Sequence, residues 1–102
     1  MILQPQLVEK PWGRTELPPH FGRTEGARMG EVWFDAPEPL PLLVKYIFTS
    51  ERLSIQVHPD EEQARARGLP SGKSECWTII DAEPGATLGL GLKRQMAAEE
   101  LR

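Results

Sequence analysis

The sequence predicts an all-β fold, an antiparallel sandwich or barrel carrying only short helices. Three observations predict it. Apolar and polar residues alternate with a period of two in several short runs, and turn residues separate those runs at short intervals. Ten prolines and nine glycines in 102 residues are more than long helices tolerate. The hydrophobic fraction of 39% and charged fraction of 26% suit a single ordinary domain with its own core, taken here as residues 1–102.

The opening third, with Pro11, Trp12, Gly13, Pro18, Pro19 and Gly22, reads as a loop-rich approach. GEVWFD, Gly30 to Asp35, and LLVKYIFTS, Leu42 to Ser50, read as strands divided by a proline-spaced turn. LSIQVH follows as another strand, with Leu53, Ile55 and Val57 on an apolar face and Ser54, Gln56 and His58 opposite. PDEEQARAR, Pro59 to Arg67, has proline at its first position, acids early and arginines late. That order suits a short helix and its dipole, stopped by Gly68. KSECWTII and TLGLGL, with the AEPGA turn between them, complete about five strands. Arg94 to Arg102 reads as a last short helix. Cys76, the single cysteine, reads as a small core filler within its strand, since no internal disulfide can form.

A net charge of −3 supplies no broad positive field, which argues against nucleic acid as a partner. No apolar run approaches a bilayer span and the N-terminus has no secretory pattern, so a cytoplasmic location is expected, with no membrane partner.

The chemistry concentrates in two places. In Lys73-Ser74-Glu75-Cys76-Trp77, alternation puts Lys73, Glu75 and Trp77 on one strand face. If that face and the Ser54/Gln56/His58 face line one cavity, an imidazole, a carboxylate and an amide oxygen converge as a divalent-metal set. With Glu75 as the only anionic ligand, a bound zinc ion would stay net positive and act as a Lewis acid. A plainer reading fits the same residues: His-Pro-Asp caps the following helix, and Lys-x-Glu is a solvated strand face. Asp60 to Glu62 are three consecutive acids, as in a calcium loop, but they sit at a helix start whose dipole already explains them. His20, in PPHFG, reads as a loop residue.

LSIQVHPDEEQAR followed by GKSECWTIIDAEPGA resembles the metal-site core of the type I mannose-6-phosphate isomerases, members of the cupins. EKPWG and GEVWF are similar to that family as well, and the likeness runs from about Glu9 to Gly91. The resemblance implies a cupin-type jelly roll, partial in this chain, and a zinc ion held by Gln56, His58, Glu75 and a later histidine. It implies that Ser54 and Lys73 face a sugar-phosphate substrate, with Lys73 catalytic. The family interconverts mannose 6-phosphate and fructose 6-phosphate by moving a proton between C1 and C2 through an enediol, and a lysine there steadies the charge that develops. Arg14 stands where the family often has a second glycine, and Cys76 and Thr78 flank Trp77 where bulkier residues are common. The later zinc-ligating histidine and a substrate-binding arginine have no counterpart before Arg102. The expectation is the N-terminal part of a catalytic cupin, a fragment or short paralogue that self-associates or needs its C-terminal half supplied. A non-catalytic cupin module working within an oligomer is the alternative, and a purely structural β domain would take up no metal.

Overall fold

The computed structural model describes residues 2–101. The chain divides into two compact units, Met1–Val57 and His58–Arg102.

The first unit is a three-stranded antiparallel sheet in the order β1 (Gln6–Arg14), β2 (Met29–Phe34), β3 (Val44–Ile47). Leu7, Val32 and Tyr46 stand in register across the three strands and therefore share a face. Val32 is fully buried there. Phe21, from a 3₁₀ turn at Pro19–Phe21, packs against that face, with ring centroids 4.8 Å from Tyr46, 5.5 Å from Phe48 and 6.5 Å from Phe34. These aromatic contacts, at the separations edge and tilted ring pairs favour, form the unit's core. His20 lies in the same turn, its ring 4.1 Å from that of Phe21.

On the opposite face Glu31 is buried but fully partnered. Trp33 Nε1 donates to its Oε2 at 2.6 Å and Lys45 Nζ to its Oε1 at 3.2 Å. Burial pushes this carboxyl up, yet the Trp33 and Lys45 hydrogen bonds, with the charges of Lys45 and Lys10, outweigh that and hold it below the ordinary range.

The opening third therefore contains a strand where a loop was expected. Its prolines mislead because β1 is bulged: Glu9 and Arg14 both stand opposite Met29, and the residues between them loop out of the ladder. Pro11 sits in that bulge, where it owes no ladder hydrogen bond. Ser50 N donates to the bulge at Trp12 O, 2.9 Å away. Gly13 permits the crossing: a Cβ there would lie 2.4 Å from the Met29 carbonyl carbon, closer than any side chain fits.

The second unit is built around α1 (Glu61–Ala66). Asp60 caps it reciprocally with Gln63, the Gln63 amide donating to Asp60 Oδ1 at 2.7 Å and the Asp60 amide to Gln63 Oε1 at 3.2 Å. Pro59 consequently precedes the cap rather than occupying the first helical position. Gly68, at φ +70°, follows the C-cap Arg67 and ends the helix as expected. The AEPGA turn closes through Ala86 N donating to Glu83 O at 3.0 Å.

Three expected strands do not form among the described residues. Leu53 to Val57, Lys73 to Ile80 and Thr87 to Leu92 keep their alternation but have no ladder partner among the described residues. Apart from half-buried Leu53, their apolar side chains are exposed, Leu90 at 93% and Ile55 at 82%, and Cys76 is exposed rather than a core filler. Alternation establishes which side chains share a face; it does not provide the second chain that satisfies the backbone. The expected last helix is only a 3₁₀ turn at Ala98–Leu101, and its final residue, Arg102, lies outside the described residues. The chain is thus β-rich with one short α-helix, and no helix among the described residues is long and apolar enough to cross a membrane.

Candidate functional site

The site begins at the capped start of α1. The Lys73 amide donates to Pro59 O at 2.9 Å, and the Gly72 amide donates to Glu61 Oε1 at 3.1 Å. These bonds lay the 72–75 segment beside the 58–61 segment. His58 and Glu75 meet as a result, with His58 Nε2 3.0 Å from Glu75 Oε1. Lys73 Nζ stands 3.5 Å from the other oxygen, Glu75 Oε2. One carboxylate is therefore flanked on its two oxygens by an imidazole and an ammonium.

The electrostatics follow from that arrangement. The His58 hydrogen bond lowers the Glu75 carboxyl below its ordinary range; burial opposes it, and the charges of Lys73 and His58 add to the lowering. Ionised Glu75 only accepts, so the imidazole donates from Nε2 in this contact. All three side chains are partly exposed, the carboxylate and imidazole at 30% and 23% and the lysine at 48%, so solvent reaches the group.

His58, Lys73 and Glu75 are thus brought together within one unit. Ser54 and Gln56, expected beside them, are exposed residues of the first unit. Among the described residues no three His, Cys, Asp or Glu side chains gather into a metal-binding cluster. Glu61 and Gly72, which join the two segments, were missed by the strand reading. The available signal was Asp60-x-x-Gln63, a capping-box spacing that fixes where α1 starts and so where His58 and Glu61 fall.

Comparison with known proteins gives the chain a context. It is 40% identical over 79 residues to the probable mannose-6-phosphate isomerase GmuF of Bacillus subtilis, covering 69% of this chain and 25% of that relative. It is 42% identical over 62 residues to a mannose-6-phosphate isomerase of Streptococcus mutans, covering 61% of this chain and 19% of the relative. All carry one name. The mannose-6-phosphate isomerase ManA of Bacillus subtilis is 38% identical over 72 residues, 70% of this chain and 19% of ManA. Similarity to mannose-6-phosphate isomerases therefore extends over most of the chain, and the chain spans about a quarter or less of those relatives' length. No family model matches it, and no solved structure matches it.

Proposed function

We propose that the chain forms the metal-site portion of a zinc-dependent mannose-6-phosphate isomerase of the cupin type, acting on a sugar phosphate. The observation that carries this reading is the 3.0 Å approach of His58 Nε2 to Glu75 Oε1 beside Lys73. Similarity to isomerases over most of the chain supports it. The donor chemistry fits zinc: an imidazole nitrogen and a carboxylate oxygen are both ordinary ligands, and here they already stand within reach of one another. His58 and Glu75 would hold the ion, with Gln56 as a further ligand. Zinc bound there supplies Lewis acidity toward a sugar oxygen.

Aldose–ketose exchange moves a proton between neighbouring carbons and builds negative charge on a substrate oxygen. A cation fixed nearby lowers that barrier. Lys73, held toward Glu75 Oε2, is the cation for that work, and Ser54 would donate to or accept from a sugar hydroxyl. Metal occupancy depends on His58 giving up its Nε2 proton, which Glu75 accepts as a hydrogen bond in the free chain.

Zinc content after dialysis tests the reading. The wild type should retain one zinc, His58→Ala should retain none, and Gln56→Ala should hold it more weakly. Equal zinc in wild type and His58→Ala would overturn the site.

A further inference from the structure

One carboxylate near the site has no part in the proposed chemistry. Glu61 is the first residue of α1, and its Oε1 accepts from the Gly72 amide at 3.1 Å. One residue further on, the Lys73 amide donates to Pro59 O at 2.9 Å. Gly72 is pressed so closely on the helix start that a Cβ would lie 2.6 Å from the Asp60 carbonyl carbon and 2.7 Å from the Glu61 nitrogen. Both contacts are with backbone, which cannot swing aside. The helix start is itself fixed by the Asp60–Gln63 cap. The two segments are thus joined at residues 59, 61, 72 and 73, immediately beside His58 and two residues from Glu75.

We propose that Glu61, acting through the Gly72 amide, is a positioning residue that sets the spacing of His58 and Glu75. As an aid to metal binding the proposal rests on the zinc reading; as a statement about the His58–Glu75 contact it stands without metal. A merely helix-favouring role for Glu61 makes a different prediction. An acid in the first turn stabilises the dipole by its charge, whereas the clamp needs an acceptor oxygen at the reach of a glutamate side chain. Glutamine keeps the oxygen and removes the charge; aspartate keeps the charge and draws the oxygen back by one methylene.

The test uses the whole 102-residue chain as wild type, Glu61→Ala, Glu61→Gln and Glu61→Asp. Without metal, the nuclear Overhauser contact between the His58 ring and the Glu75 side chain is recorded. Zn²⁺ affinity is then measured by calorimetry. The contact should persist in wild type and Glu61→Gln and disappear in Glu61→Ala and Glu61→Asp, with Zn²⁺ affinity falling about tenfold in the latter two, as for lost outer-sphere support. Should Glu61→Ala fail to fold, Glu61→Asp decides alone, because it keeps the helix-favouring charge. Retention of contact and affinity in Glu61→Asp, or their loss in Glu61→Gln, would overturn the clamp and leave the zinc reading standing. A wild type that binds no Zn²⁺ but loses the contact on Glu61→Asp would overturn the zinc reading and uphold the clamp.

Discussion

Glu31 is a buried carboxylate whose contribution to stability depends on pH. Its carboxyl is held below the ordinary range by Trp33 and Lys45, which outweigh burial. A group depressed in the folded state stabilises fully above its unfolded value and loses that contribution as the pH falls through its native value. The Glu31 contribution should therefore be complete at neutral pH and decline as the pH falls below the ordinary carboxyl range. Glu31→Ala, which leaves Trp33 and Lys45 without their acceptor, should cost about 1–3 kcal/mol at pH 7, and the difference should shrink in acid, as read from urea midpoints. Val32, fully buried between β1 and β3, should cost about 2 kcal/mol as alanine with no pH dependence. On the proposed reading, and in a full-length context, Lys73→Met should lower sugar-phosphate turnover by about a hundredfold with zinc content intact; unchanged turnover there would assign Lys73 to a solvated face. At this scale much was legible in the sequence. His58, Lys73 and Glu75 were singled out from their residue types and spacing, and they do meet. The reason given for their meeting was incorrect: a helix cap and a glycine bring them together, not the shared face of two paired strands.

Elements were less legible than residues. GEVWF and VKYI are strands because β-branched and aromatic side chains alternate beside neighbours that pair with them. β1 was hidden because Pro11 and Gly13 mark loops in most settings and here mark a bulge. The runs after Glu51 erred the other way, since their period of two is intact but no ladder partner stands beside them among the described residues. α1 was the clearest element, its start marked by acids and its end by Gly68. Asp60→Ala should cost the second unit about 1 kcal/mol. The measurement that checks it is hydrogen exchange at the Gln63 amide, which donates to Asp60 Oδ1 and should lose protection first. Slow exchange at Gln63 in the variant would show that the cap contributes little.

For the whole molecule, the exposed apolar residues decide the expected behaviour. Trp77, Ile79, Ile80, Leu88, Leu90 and Leu92 are all solvent-facing in the second unit. Runs with strand periodicity and no ladder offer backbone as well as side chains to another chain. The 102-residue chain should self-associate as its concentration rises, and Leu90→Lys with Ile80→Lys should reduce this, as followed by size-exclusion chromatography with light scattering. A monomer at every concentration would show that these side chains are tolerated in water. The order of the sheet has a separate effect, on time rather than energy. β1, β2 and β3 are neighbours in space in the sequence in which they are synthesised, so each pairing closes a local loop and waits for nothing downstream. The last ladder residue, Ile47, leaves the ribosome before His58 does. The meander can thus be finished while the residues proposed to bind metal are still being added, and pulse-labelled amides of β2 should be protected earlier than the Gly72 amide.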